Sequence, residues 1–229
     1  MRRFAAEGIS RKEVFITSKI DNHQQYVGNM NKCVDDSLKT MKTDYLDCML
    51  FHWPVQNHFE ENWLQLEDAY KKGKVRSIGI ANAKIFHIER LRMYGATIVP
   101  HVIQTEIHPF NSCLQLRDYS EKHKIALQAC SSLANMIDKM KYNKTLIDLS
   151  RKYSVSLVLL VLRWHLQSNI APLFRSFNPK HIEEIKRVFT FNISNEDMRL
   201  IDALNENYRY HPELSLIHIS EPTRHLRIS

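Results

Sequence analysis

Short apolar segments alternate along the chain with segments in which apolar residues recur at helical spacing. The apolar segments are four to eight residues long, as strands covered on both faces of a parallel sheet should be. Six such strands are predicted, at residues 14–18, 46–53, 77–81, 102–108, 125–130 and 171–174.

The intervening segments predict helices. Val27, Met30, Val34, Leu38 and Met41 recur at helical spacing and predict a single helix. The same reasoning predicts further helices at residues 63–73, 85–91, 116–123, 146–153, 156–166, 182–188 and 194–204.

The helix ends are also marked in the sequence. Ser194 and Asp197 are spaced as a capping box for the last helix. Residues 1–8 are predicted to be the last turns of a helix that ends at Gly8.

The regular order of strand and helix predicts an α/β fold with a parallel sheet. The chain has five glycines and no Gly-x-Gly-x-x-Gly sequence, which favours a closed (β/α)8 barrel of the TIM type over a doubly wound sheet. Only six of the eight strands of such a barrel can be assigned, so the prediction is an incomplete barrel.

Composition and charge limit the classes of partner that the chain can bind. The 229-residue chain carries a net charge of 32 − 25 = +7, which favours anionic partners such as a nucleic acid, a membrane surface or a phosphorylated cofactor. No run of five like charges and no RNA-binding signature occurs, which argues against nucleic acid. No apolar stretch approaches membrane-spanning length. Four cysteines without a Cys-x-x-Cys pair predict reduced thiols and a cytoplasmic protein.

The last residues differ in character from the rest. Residues 214–224, LSLIHISEPTR, resemble an in-frame translation of a transposase-type sequencing adapter, and residues 225–229 fit its continuation. We therefore expect one partial barrel domain at residues 1–213 and no domain at residues 214–229.

Polar residues lie along, end or follow the predicted strands, toward the rim where barrel enzymes hold their active sites. They are Lys19, His52, Asn82, Gln104, Cys130, Ser131, Arg175 and Ser176. Glu106 and His108 alternate along the fourth strand, but no third metal ligand accompanies them, so we interpret them, and Trp164, as structural and expect no metal site.

Seven sequence segments taken together resemble the aldo-keto reductase family over about residues 3–213. They are FITSK (15–19), DYLD (44–47), LFHWP (50–54), GKVRSIGIAN (73–82), QTEIHP (104–109), LRW (162–164) and RSFNP (175–179). The resemblance implies a (β/α)8 barrel that reduces aldehydes or ketones with a nicotinamide cofactor.

The family uses an Asp, a Tyr, a Lys and a His in catalysis, and the resemblance assigns the last two to Lys19 and His52. The lysine charge favours ionisation of the tyrosine phenol, which acts as the general acid. The eighteen residues ahead of Lys19 contain neither Asp nor Tyr. We therefore expect a chain truncated at its N-terminus and catalytically incompetent as it stands.

The resemblance also implies cofactor residues. Asn82 and Gln104 would bind the nicotinamide carboxamide, with Ala81 replacing a usual serine. Cys130 stands where a tyrosine usually stacks on the nicotinamide ring, and Ser131 matches a pyrophosphate contact.

At the other end of the cofactor, Arg175 and Ser176 match a pair at the 2′-phosphate. His181 replaces an arginine of that pocket, and Glu184 matches an adenine contact. NADPH is thus favoured, with NADH as the alternative. Trp53 matches a wall of the pocket for a small carbonyl substrate.

Two alternatives stay open. The departures at Ala81, Cys130 and Ile185 also fit a non-catalytic barrel that binds a nicotinamide nucleotide. The second alternative, which we favour for the polypeptide itself, is that the chain does not fold stably, because two absent strands leave open sheet edges. A chain that does fold is expected to be a monomer.

Overall fold

Six strands form one sheet whose spatial order follows the chain, β1-β2-β3-β4-β5-β6. The pairings of β1 with β2, β2 with β3 and β3 with β4 are all parallel. The strands are β1 (Thr17–Ile20), β2 (Cys48–Phe51), β3 (Ile78–Ala81), β4 (Val102–Glu106), β5 (Ala126–Cys130) and β6 (Ile170–Pro172). The fold class and the six-stranded count predicted from the apolar segments are confirmed.

The computed structural model describes residues 7–210. The predicted helix at residues 1–8 lies largely outside this range, although Gly8 has the left-handed φ of +75° expected after a helix end. Residues 214–229 also lie outside it.

Helices connect the strands. They are α1 (Asn22–Val27), α2 (Met30–Met41), α3 (Phe59–Lys71), α4 (Ile85–Tyr94), α5 (Leu114–Lys122), α6 (Asp138–Lys141), α7 (Lys144–Lys152), α8 (Leu157–Gln167), α9 (Pro179–Ile185) and α10 (Asn195–Asp202). Short 3₁₀ turns occur at Arg11–Glu13, Ala134–Met136 and Lys186–Phe189.

The described chain divides into two compact units. Unit 1 comprises residues 7–105 and 114–128, and unit 2 comprises residues 106–113 and 129–210. Each has its own hydrophobic cluster.

The two faces of the unit 1 sheet differ because successive strand residues point to opposite sides. On one face, β-strand residues pack with Trp63 of α3 and Val34 of α2 in a large cluster. On the other face, Cys48, Leu50 and Val102 form a small separate cluster. Complete burial of each large apolar side chain stabilises the fold by about 1.5–3 kcal/mol.

Gly79 lies on the same face as this small cluster and allows its strands to approach. A Cβ at this position would lie 2.1 Å from the Val102 carbonyl oxygen and 2.7 Å from Leu50 Cδ2. Glycine is therefore required here by space, because its φ is not in the left-handed region.

The single helix predicted through Val27 and Met41 is wrong. The structure has two helices, because Gly28 adopts a left-handed φ of +77° and ends α1 by donating its N–H to the Gln24 carbonyl. Asn29 then caps α2, accepting a hydrogen bond from the Lys32 N–H. Val27 consequently belongs to α1 and is 69% exposed.

Unit 2 packs the apolar side of α8 against the turn that contains Val188. Trp164 of α8 is fully buried, and its indole N–H donates to Asp202 at 3.1 Å, which agrees with its structural interpretation.

Only half of the predicted capping box forms at α10. The Ser194 hydroxyl accepts the Asp197 N–H, whereas the Asp197 carboxylate accepts from Lys152 and from the Tyr153 hydroxyl. The carboxylate is thus engaged by α7 and the residue after it, which leaves only the Ser194 cap at the helix start.

All six strands differ from the predicted bounds, by one to three residues at one or both ends. β1 begins at Thr17 and not at residue 14, so Lys19 lies within the strand and does not end it. β4 ends at Glu106, so His108 lies beyond the strand, where it forms an isolated bridge with Asn111. β6 is displaced by one residue at its start.

Candidate active site

Lys19, His52 and Gln104 lie on one face of the unit 1 sheet. The strand register places Lys19 beside Leu50, and Ala81 beside Gln104. Leu50 belongs to the small-cluster face, and the alternation of side chains extends this face from Leu50 to His52. The register therefore groups a cation, an imidazole and an amide toward the carboxyl ends of β1, β2 and β4.

Lys19 and His52 interact electrostatically. His52 follows β2, and its N–H donates to the Ile20 carbonyl at 2.9 Å, which sets it beside the end of β1. Burial lowers the pKa of the His52 imidazole from its ordinary value, and the positive charge of Lys19 lowers it further, against an opposing contribution from Asp21. The imidazole is thus held neutral near pH 7, where its ring N–H can donate to an oxygen atom.

Asn82 is held by three features at the end of β3. Its φ of +61° is left-handed, its N–H donates to the Gln104 carbonyl at 2.7 Å, and its side-chain Nδ2 donates to the His52 carbonyl at 3.1 Å. The residue is 9% exposed, and its Oδ1 is buried without a hydrogen-bond partner. A buried acceptor without a partner is costly, so this atom marks a place for an N–H donor.

Gln104 lies in β4 and is 3% exposed. Its side-chain Nε2 donates to the Gln128 Oε1 of β5 at 2.9 Å. Both amides predicted to bind the cofactor carboxamide are therefore connected to their neighbouring strands.

Trp53 follows His52 and is 7% exposed. Its ring centroid lies 6.3 Å from that of His52. The side chain is thus buried next to the residue that carries the imidazole, and its role as a pocket wall stays a prediction.

Cys130 and Ser131 belong to unit 2. Cys130 is the last residue of β5 and is half-buried. None of the four cysteines is in a disulfide. Ser131 has a left-handed φ of +47°, and its carbonyl accepts the Ala134 N–H at 2.7 Å. The chain thus turns sharply directly after β5.

The predicted phosphate and adenine residues lie in and before α9 of unit 2. Arg175 is exposed and lies over the Phe177 ring at 5.4 Å, and the Ser176 hydroxyl accepts the Asn178 N–H. His181 is exposed on α9, whereas Glu184 is half-buried. A surface depression of about 530 Å³ is lined by Lys180, Glu183, Glu184, Lys186, Arg187 and Thr190.

Glu106 and His108 are both fully buried in unit 2. His108 Nε2 contacts Glu106 Oε1 at 3.0 Å, and the Glu106 carboxylate also accepts the Tyr210 N–H. Residues 7–210 contain no group of three His, Cys, Asp or Glu side chains able to hold a metal ion. The pair connects β4 to the end of the described chain, in keeping with a structural role.

The DYLD segment at residues 44–47 also has a structural role. Asp47 accepts hydrogen bonds from the Ile16 N–H and from Arg11, and the Arg11 and Arg76 guanidinium groups lie on the Tyr45 ring at 3.9 and 3.7 Å. Burial alone would raise the pKa of Asp47, but these donors outweigh it and the pKa is lowered. The cluster joins the segments that precede β1, β2 and β3.

Sequence reasoning missed Gly79 and Gln128. Gly79 lies inside a recognised segment, but its need for space is set by Leu50 and Val102 on neighbouring strands. Gln128 could have been noticed as the polar residue between Leu127 and Ala129, both buried, in an otherwise apolar strand.

A lysine, a histidine and two buried amides thus lie toward the carboxyl edge of a parallel sheet, the edge at which (β/α)8 enzymes hold their active-site residues. The model of the Aldo/keto reductase family matches residues 1–206, and the chain belongs to that family.

Similar proteins include glyoxal reductase of Bacillus subtilis (strain 168). It is 38% identical over 205 residues, which cover 90% of this chain and 73% of the relative. Methylglyoxal reductase DkgA of Escherichia coli (strain K12) is 32% identical over 209 residues, covering 90% of this chain and 74% of the relative.

Solved structures are similar over the same extent. An aldo-keto reductase enzyme from a Medee basin deep-sea metagenome library superposes with a TM-score of 0.83 at 29% identity, covering 91% of this chain and 77% of that one. A mutant of Gox0644 in complex with NADPH superposes with a TM-score of 0.79 at 31% identity, covering 86% and 72%. No helix within residues 7–210 is long and apolar enough to cross a membrane.

Proposed function

We propose that this chain supplies the nicotinamide-binding residues and the Lys19–His52 pair of an NADPH-dependent, metal-free carbonyl reductase, which acts as a monomer in the cytoplasm. The observation that supports the proposal most strongly is the grouping of Lys19, His52, Asn82 and Gln104 at the carboxyl edge of the unit 1 sheet. Barrel enzymes hold their reacting groups at this edge.

The residues present fit a reduced nicotinamide. The unpartnered Asn82 Oδ1 is an acceptor for one N–H of the carboxamide, and Gln104 offers a second amide. In unit 2, the exposed Arg175 guanidinium suits a phosphate, which it can bind through two parallel hydrogen bonds. Ser176 and His181 would assist there, Glu184 would contact the adenine, and Cys130 and Ser131 would contact the ring and the pyrophosphate.

When bound, the reduced nicotinamide supplies the hydride. The neutral His52 would orient the substrate carbonyl by donating a hydrogen bond to its oxygen. Lys19 contributes a positive charge near this oxygen, which favours the charge that develops there during reduction. Trp53 would exclude water from one side of the pocket.

The substrate that we propose is a small aldehyde or ketone. The names of two relatives, glyoxal reductase and methylglyoxal reductase, support carbonyl compounds of a few carbon atoms. NADPH is preferred to NADH in this proposal, in agreement with the NADPH-bound relative Gox0644.

A polypeptide of the printed sequence has neither Asp nor Tyr ahead of Lys19. Folding of this polypeptide is checked first by a cooperative urea transition, and we expect the folded chain to bind NADPH without turnover, because the family's phenol donor is not among these residues. Titration with NADPH, followed by the fluorescence of Trp53, Trp63 and Trp164, tests the binding. Absence of saturable binding would contradict the proposal, and NADPH oxidation with glyoxal above background would contradict the expected lack of a proton donor.

A chimera tests the reductase activity itself. The 205 matched residues of B. subtilis glyoxal reductase are replaced by the corresponding residues of this chain, so that the remainder of the relative completes the protein. We expect NADPH oxidation with glyoxal, and its loss in the Lys19→Met form of the chimera. Lys12→Met, a change at another exposed lysine, is the matched control.

The second candidate function is nucleotide binding without catalysis, which the replacement of family residues by Ala81 and Cys130 favours. In this case the chimera would bind NADPH and leave glyoxal unreduced. The same measurement therefore separates the two candidates.

A further inference from the structure

Four consecutive strands of unit 1 are joined near their carboxyl ends by a series of hydrogen bonds. Asn82 Nδ2, at the end of β3, donates to the His52 carbonyl after β2, and the Asn82 N–H donates to the Gln104 carbonyl of β4. The Gln104 side chain then donates from Nε2 to Gln128 Oε1 of β5 at 2.9 Å. The series therefore continues past the residues that the proposed function uses.

Gln128 decides which end of the Gln104 amide is available. A glutamine side chain carries one acceptor oxygen and one donor NH₂ group, and the two ends can exchange by rotation about the last bond. Because Gln104 Nε2 is engaged by Gln128, its Oε1 is the end that stays available to accept a hydrogen bond. Asn82 has the same polarity, since its Nδ2 is engaged by His52 and its Oδ1 is unpartnered.

We propose that Gln128 is a positioning residue for the cofactor: its Oε1 fixes the Gln104 amide so that two acceptors, Asn82 Oδ1 and Gln104 Oε1, face a ligand that donates N–H groups. The inference rests on the proposed function and extends it, because it identifies the NH₂ group of a primary carboxamide as the feature recognised. Gln128 acts through Gln104 and needs no contact with the cofactor.

The strand alternation supports this role. Leu127 and Ala129 are 6% and 0% exposed and point to one side of β5, so Gln128 points to the opposite side, where Gln104 meets it. A half-buried glutamine between two buried apolar residues contributes less to apolar packing than a leucine would. The hydrogen bond to Gln104 gives this position a polar role.

The test compares two cofactors and three variants. The probes are NADPH and its reduced 3-acetylpyridine analogue, in which a methyl ketone replaces the carboxamide and no N–H is available. Gln128→Met removes the acceptor at nearly constant volume, Gln128→Glu retains an acceptor and cannot donate when ionised, and Gln115→Met changes an exposed glutamine of α5 as a matched control. Binding is followed by tryptophan fluorescence.

We expect Gln128→Met to weaken NADPH binding about fivefold, the usual effect of losing one neutral hydrogen bond, and to change binding of the acetyl analogue less than about twofold. Gln128→Glu and Gln115→Met should bind both cofactors as the unchanged chain does. Equal weakening for both cofactors, or a Gln128→Glu variant that behaves like Gln128→Met, would overturn the assignment.

The outcomes separate this inference from the function on which it rests. If the unchanged chain fails to bind NADPH, both are overturned. If it binds NADPH and Gln128→Met leaves that binding unchanged, only the role of Gln128 is overturned. An NMR spectrum adds a readout without cofactor: the Gln104 side-chain NH₂ signals, assigned from their loss in Gln104→Met, should shift in Gln128→Met and not in Gln115→Met.

Discussion

The residues proposed to bind the two ends of the cofactor are held in different ways. In unit 1, Asn82 and Gln104 are at least nine-tenths buried and hydrogen-bonded to neighbouring strands. In unit 2, Arg175 and His181 are exposed, and the contact of Arg175 with Phe177 is local along the chain. The difference teaches that orientation of the reacting ring depends on fixed acceptors, whereas attraction of a phosphate needs only a cation within reach.

The largest expected effect removes the support of the unit 1 residues. Gly79→Ala places a Cβ 2.1 Å from the Val102 oxygen. We expect the free energy of unfolding to fall by about 2–3 kcal/mol or more, and NADPH binding to be lost as well. Urea denaturation measures it. Gly73→Ala is the control, because its Cβ meets nothing within 4 Å and only the left-handed φ of +72° is penalised, by roughly 1–2 kcal/mol. Similar losses in both variants would contradict the close approach of β3 and β4.

The next effect sharpens the comparison at one amide. Asn82→Gly removes the side chain while tolerating the φ of +61°, and we expect NADPH binding to weaken about tenfold through loss of the acceptor and of the hydrogen bond to His52. Asn82→Ala should weaken it further, because alanine is strained at this φ. Unchanged binding of NADPH by Asn82→Gly, measured by fluorescence titration, would show that the amide takes no part.

In unit 2, the corresponding change should act on charge alone. Arg175→Met is expected to weaken NADPH binding about tenfold, the usual loss of a charge-assisted hydrogen bond, with NADH binding and the free energy of unfolding nearly unchanged. The preference for NADPH should also decline as salt is added. Arg199→Met, at an exposed arginine of α10, is the control. A change in NADH affinity equal to that in NADPH would place Arg175 away from the 2′-phosphate.

The smallest effect concerns the imidazole in unit 1. Since burial and Lys19 lower the pKa of His52 from 6.5, the folded chain binds fewer protons there than the unfolded chain. Its contribution to stability is thus present above pH 6.5 and is lost as the pH falls through the folded pKa. Lys19→Met should raise the pKa of His52 in an NMR titration, and Lys12→Met should not. If the pKa of His52 is the same in Lys19→Met as in the unchanged chain, the electrostatic interaction between Lys19 and His52 is contradicted.

The sequence allowed the order of strands and helices to be predicted because each buried strand is a short apolar segment. The start of β1 was misplaced because residues 14–16 are also apolar, although pairing with β2 begins only at Thr17. The break between α1 and α2 was missed because Val27 and Met30 keep helical spacing across Gly28 and Asn29. There a left-handed glycine and a cap decide the structure, not apolar periodicity.

The site was predictable only where motif and strand end coincide. Lys19, His52, Asn82 and Gln104 were assigned from sequence, and the structure brings them to one edge of unit 1. The roles of these four residues, like those of Cys130, Ser131, Arg175, Ser176, His181 and Glu184, stay predictions. Gln128 could not be assigned, because its role depends on the partner strand to which its side chain is hydrogen-bonded.

The bond from the backbone N–H of Asn82 to the Gln104 carbonyl joins two peptide groups, so neither side chain takes part in it, and only proline at position 82 would remove its donor. This backbone hydrogen bond therefore does not depend on which side chain stands at position 81 or at position 104. Ala81 stands where the family resemblance implies a serine, and the backbone bond of Asn82 beside it needs no hydroxyl at that position. The strand end is thus held by the main chain at position 82, whichever side chain stands at position 81.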